Sequence, residues 1–189
     1  MVEEGAIDGS EIPPQIVPQR VKIIMVCEAM PDKEQDYFYS SQDSLFMVNT
    51  VDAFRSAGQQ VKDINDIVER GVYLTVAVKS PREGQVVPAA VIEENSYILE
   101  EELKQFPNVR AILLMGDAAI KAINYISLRR NRMRAIPAGS TYKIRKGEFY
   151  FNGIRIFPSY LQTGKNFLIE KSKRAMVAED IKHAFKLLA

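Results

Sequence analysis

Three runs of near-continuous apolar residues, at 22–27, 72–78 and 109–115, set the tightest limit on what this chain can fold into. Each is short, rich in Val, Ile, Leu or Met, and closed by acidic residues, Pro or Gly, which suits a strand buried on both faces. Between the first two, Leu45, Met47, Val48, Val51, Phe54 and Ala57 recur at helical spacing and Gly58 ends the pattern, predicting a crossover helix over 44–57. A second helix is predicted over 92–106, with Ile98, Leu99 and Leu103 inward and Pro107-Asn108 as its breaker. After the third run, Gly116-Asp117 opens a helix through Ile126 with Asp117 as N-cap. Further on, 141–145 and 149–151 flank Lys146-Gly147-Glu148 as a hairpin, 154–157 reads as a strand and 167–188 as a closing helix.

Alternation of this kind predicts an α/β fold: a three-layer α/β/α sandwich around a central, mainly parallel four-stranded sheet. In such sheets ligands bind outside the carboxyl ends of the strands. The loops at 28–32, 79–82, 116–117 and 158–164 should therefore meet around one crevice. Residues 1–20, with Gly5, Gly9, Pro13, Pro14 and Pro18 and no sustained apolar period, read as an extended or disordered arm, and 21–189 as the domain.

No apolar run approaches the ~20 residues that span a bilayer, and the acidic start, with Glu3, Glu4, Asp8 and Glu11, does not resemble a secretory signal, so a cytoplasmic protein with no membrane partner is expected. Cys27 is the single cysteine, which excludes an intrachain disulfide and any Cys-rich zinc or iron–sulfur site; no metal and no cofactor are expected. Cys27 itself reads as a small core residue. The single histidine, His183, falls outside the apolar stripe of the last helix and reads as a surface residue, which removes imidazole as a general base. Net charge is +1, but basic residues cluster at Arg129, Arg130, Arg132 and Arg134 and at Lys165, Lys171, Lys173 and Arg174. Either set suits phosphate contacts or a solvated helix face.

The strand-end loops carry a resemblance. Val26-Cys27-Glu28-Ala29-Met30-Pro31 resembles the first motif of the uracil-DNA glycosylase superfamily. Phe38-Tyr39, followed by Leu45-Phe46, resembles its base-stacking aromatic segment. Residues 111–119 resemble a strand-to-helix junction of several branches, Phe157-Pro158-Ser159-Tyr160-Leu161 resembles the second motif, and Glu179-Asp180 stands where the family often has an acidic pair. The resemblance runs from Val21 to the C-terminus with the motifs in family order. It implies that fold, a DNA partner, single- or double-stranded, and hydrolysis of the N-glycosidic bond of a flipped, damaged or deaminated base.

Carried over residue by residue, the resemblance makes Glu28 the catalytic group, orienting water or facing the sugar cation. Met30, Pro31, Phe38, Tyr39, Val76, Phe157 and Ser159 fall around the base, and Lys79, Ser80, Tyr160, Leu161, Gln162 and Lys165 fall on DNA, Leu161 and Gln162 as the wedge filling the vacated stack. The cleft should be lined by Glu28, Phe38 and Ser159 and flanked by positive potential. Two departures matter. Phe157 stands where most members have a histidine, and a phenyl ring donates no hydrogen bond; Val76, or Ala77 one place on, stands where many have the asparagine that reads the base. The competing expectation is a catalytically silent nucleic-acid or nucleobase-binding module of the same fold. A small-molecule hydrolase or nucleotide-binding protein sharing only topology finds no Walker loop, dinucleotide fingerprint or nucleophile elbow to support it.

Overall fold

The computed structural model describes residues 12–40 and 43–189. The three apolar runs form β1 (Ile23–Met30), β2 (Val72–Pro81) and β3 (Ala111–Met115), and β5 (Ile154–Ser159) lies beyond them. These four strands run parallel in the order β2-β1-β3-β5. A fifth, β4 (Phe149–Phe151), adds to the outer side of β5 in the antiparallel sense.

Both faces are covered because both faces are apolar. Met25, Leu74, Leu113 and Phe157 point to one side, beneath α1 (Leu45–Ser56), the short α2 (Ile64–Glu69) and α6 (Lys171–Lys186). Ile24, Tyr73, Ile112 and Ile156 point to the other, beneath α3 (Ala89–Leu103) and α4 (Asp117–Asn131). Alternating side chains thus feed two separate cores, which is why the strands read as continuous apolar runs.

Several local expectations are corrected. The predicted hairpin is displaced: 141–144 form a helical turn, α5 (Thr141–Ile144), and the reversal falls at Asn152-Gly153, joining β4 to β5. Both turn residues have positive φ, 50° and 78°, the geometry that favours Asn-Gly in a two-residue hairpin. Asp117 is not the N-cap of α4. Gly116 holds that position at φ 99°, and Asp117 is the first helical residue, pairing with Lys121 at 2.8 Å one turn on. Helix α2 was not anticipated; Asp63 caps it by accepting from Asp66 N–H at 3.0 Å. Part of the expected N-terminal arm lies outside the described residues. From residue 12 onward it packs, with Ile16 buried in the second core and Pro18–Arg20 forming a 3-10 turn. No helix among the described residues is long and apolar enough to cross a membrane.

Candidate functional site

Loops after β1, β2 and β5 converge at the carboxyl end of the sheet on a cleft of about 300 Å3. Its walls carry Glu28, Met30 and Pro31 from the end of β1 and the turn that follows, and Leu161 and Lys165 from the loop after β5. These five are among the residues singled out from sequence. Arg82, Phe46 at the head of α1, and Thr163 also line it. Three cations, Lys33, Arg82 and Lys165, and three carboxylates, Glu28, Asp32 and Asp36, share the walls. The cleft is therefore mixed in charge rather than flanked by one positive field.

Glu28 is held from two sides. Its Oε1 accepts from the Ala118 N–H at 3.3 Å, so a β1 side chain supplies a cap for α4, where the helix dipole favours negative charge. Its Oε2 lies 3.8 Å from the Arg82 guanidinium. The approach depends on Gly116, since a Cβ there would fall 2.6 Å from Glu28 Oε1. Gly116 N–H in turn donates to Ser159 C=O at 3.0 Å, linking the β3 and β5 ends beside the carboxylate.

Other predicted site residues turn inward. Phe38 is buried against Phe46 in the first core and does not line the cleft. Val76 and Phe157 are core residues on that same face, beneath α1 and α6. The Tyr39 hydroxyl lies on the backbone of β2, donating to Leu74 C=O at 2.8 Å and accepting from Leu74 N–H at 2.9 Å. Tyr160 is half-buried, with Lys173 5.7 Å over its ring, and Ser80 is exposed at the end of β2.

Ser159, Gln162 and Lys79 each have an internal partner. Ser159 is fully buried and its Oγ donates to Asp180 Oδ2 at 2.5 Å. Arg145 grips the same carboxylate through both oxygens, at 3.2 and 2.9 Å, and reaches Glu179 at 2.6 Å. Burial pushes the Asp180 carboxyl above the usual Asp range against the pull of Arg145 and Ser159. Gln162, expected in a wedge, is fully buried; its amide donates toward Cys27 Sγ at 3.1 Å, Met25 Sδ at 3.2 Å and Thr50 Oγ1 at 3.3 Å. Burial pushes the Cys27 thiol up to about 12, so it is no nucleophile at neutral pH.

Lys79, expected on DNA, instead bonds Glu102 of α3 at 2.5 Å and Thr75 at 2.8 Å. Tyr73 and Thr75 hydroxyls donate to the other Glu102 oxygen, each at 2.6 Å. Burial pulls the Lys79 ammonium below its ordinary range while Glu102 opposes that shift. This ammonium is a buried half of an ion pair, not a surface cation.

Chemically, the cleft offers a fixed carboxylate beside a guanidinium, apolar walls at Met30 and Phe46, and exposed lysine heads at its rim. Among the described residues no group of three His, Cys, Asp or Glu side chains is placed to hold a metal ion. Sequence reading passed over Arg82 as a site residue, although its place in the loop after β2 was the available signal. Neither a known family model nor a curated protein matches this chain.

Proposed function

We propose that this chain is a relative of the uracil-DNA glycosylase superfamily whose cleft receives a base turned out of DNA and hydrolyses its N-glycosidic bond. The observation that carries the proposal is Glu28, a carboxylate held at the wall of a strand-end cleft by the first turn of α4 and by Arg82. A flipped base would lie between Met30 and Phe46, with Leu161 and Lys165 at the rim. In hydrolysis, water oxygen bonds to the sugar C1′ as the C1′–N bond breaks with its electron pair passing to the base. Glu28 orients that water and takes its proton, or faces the positive charge developing on the sugar. With Phe157 buried, the departing base would find its support in the backbone N–H groups after Pro31 and the cleft cations.

The test is a panel of single- and double-stranded oligonucleotides carrying uracil, hypoxanthine, xanthine or hydroxymethyluracil, assayed for abasic sites. Excision that falls about 10²- to 10⁴-fold in Glu28→Gln supports the enzyme. One observation favours a silent binding module: Val76, Phe157 and Ser159, at positions where the family places or flanks its polar base readers, are buried and leave the cleft without them. Oligonucleotide binding that changes in Glu28→Gln or Arg82→Ala, with no abasic product across the panel, would establish that reading. Loss of both binding and excision would remove DNA from the account of the cleft.

A further inference from the structure

Residues 129–155 carry eight of the chain's 25 basic residues and one of its 24 acidic ones, so a chain of net charge +1 has one strongly basic flank. The structure divides these cations into held and free. Arg129 and Arg130 both clamp Glu100, Arg129 at 3.0 Å, and Arg145 is taken up by Asp180 and Glu179. Arg155 lies over the rings of Phe157 and Tyr150 at 4.4 and 5.9 Å. Arg132, Arg134 and Lys143 are exposed and have no ion-pair partner among the described residues. Lys146 is exposed and stands 4.6 Å over the ring of Tyr142.

Large side chains that ordinarily avoid water stand among the free cations: Met133 is 66% exposed, Tyr142 55% and Tyr150 53%. The loop that presents Arg132 and Arg134 is pinned. Ser127 Oγ donates to Met133 C=O at 2.8 Å, and the Asn124 amide brackets buried Ile136, donating to its C=O at 3.0 Å and accepting from its N–H at 2.9 Å. Arg132 ends α4 in the left-handed region at φ 60°, a conformation uncommon for a residue with a side chain. Asn131 bonds Asn152 at 3.4 Å, joining this loop to the β4–β5 turn. The flank thus lies along the β4 edge of the sheet, whereas the cleft is built by loops after β1, β2 and β5.

We infer that this flank is a second nucleic-acid contact, separate from the cleft: Arg132, Arg134, Lys143 and Lys146 engage phosphates, and Tyr142 and Tyr150 offer ring faces to unpaired bases. Free cations interleaved with exposed aromatic rings are the combination that single strands select, because every base has a face to stack and every linkage a charge to neutralise.

The test is fluorescence anisotropy of a labelled oligothymidylate across a salt series, using the full chain. The double variants R132A/R134A and K143A/K146A should each weaken binding several-fold. Each should also flatten the log–log salt slope by about 0.7 per lost phosphate contact. Y142A and Y150A should weaken binding at unchanged slope. All these side chains are exposed, so thermal melts should match wild type. Wild type that does not bind at low salt overturns the inference, as does a quadruple cation variant with unchanged affinity and slope. Tighter binding of polyglutamate or phosphatidylserine vesicles than of the oligonucleotide also overturns it, by giving the flank to an acidic protein or a membrane. The assay reads no excision, so failure of the glycosylase proposal and failure of this one are separate results.

Discussion

The turns after β1 and β5 read alike in sequence, each an apolar strand running into Pro and polar residues, yet they stand in opposite relations to water. The β1 turn presents Glu28, Asp32, Lys33 and Asp36 to the cleft. Ser159 and Gln162 at the β5 end turn inward instead, Ser159 to Asp180 and Gln162 to Cys27, Met25 and Thr50, and only farther along the loop do Thr163 and Lys165 reach the cleft. The contrast shows that a strand-end loop is not a functional surface by position alone. What decides is whether a partner of opposite character is packed beneath it, as Asp180 of α6 is beneath β5.

If that contrast is sound, substitutions in the β5 tether act on stability, and those in the β1 turn act on the cleft. The largest loss of stability should come from Asp180→Ala, which leaves the Arg145 guanidinium, 7% exposed, without its two-oxygen partner. A loss of about 3–5 kcal/mol by urea unfolding is expected; a loss below 1 kcal/mol would break the comparison. Gly116→Ala should come next, at about 1–3 kcal/mol, from its positive φ and the Cβ placed against Glu28. Because that clash moves the carboxylate, it should also lower any cleft activity. Gln162→Met, similar in volume with sulfur-rich surroundings, should cost less than about 1.5 kcal/mol and leave oligonucleotide affinity unaltered. Glu28→Gln should be the mildest in stability, at most about 1 kcal/mol for a helix-end charge, while being the most damaging to excision.

Acidification sharpens the same contrast. Burial raises Asp180 above its ordinary value of 3.8. Between that value and the raised folded one, the folded chain binds more protons at this group than the unfolded chain does. Its contribution to stability therefore falls as pH rises through that window and is greatest below it. Urea melts from about pH 3 to 7 should show wild type losing stability relative to Asp180→Ala as pH rises through that window. A difference that grows instead would mean that Arg145 dominates over burial.

The parallel sheet was legible because both its faces are covered, which leaves a continuous apolar signal at β1, β2 and β3. The hairpin was not, because two glycine-centred segments competed. Lys146-Gly147-Glu148 read as the turn, but only Asn152-Gly153 supplies two residues suited to positive φ in succession. Glu28 was legible as a strand-end carboxylate. Its partners were not, since Ala118 and Arg82 lie 90 and 54 residues away in the chain. The same holds for Lys79 and Ser159, whose acidic partners Glu102 and Asp180 sit 23 and 21 residues on. Local pattern marks a polar residue at a strand end. It says nothing of the carboxylate that a later helix will place against it.

Tyr39 has a consequence of another kind. β2 is an outer strand of the sheet, and the phenol hydroxyl takes up both the N–H and the C=O of Leu74 along it. An uncovered strand of this type is a template for strands of neighbouring molecules. By occupying both groups at once, this one ring removes two open hydrogen-bonding groups from that edge, so the residue expected to hold a base instead blunts the edge strand.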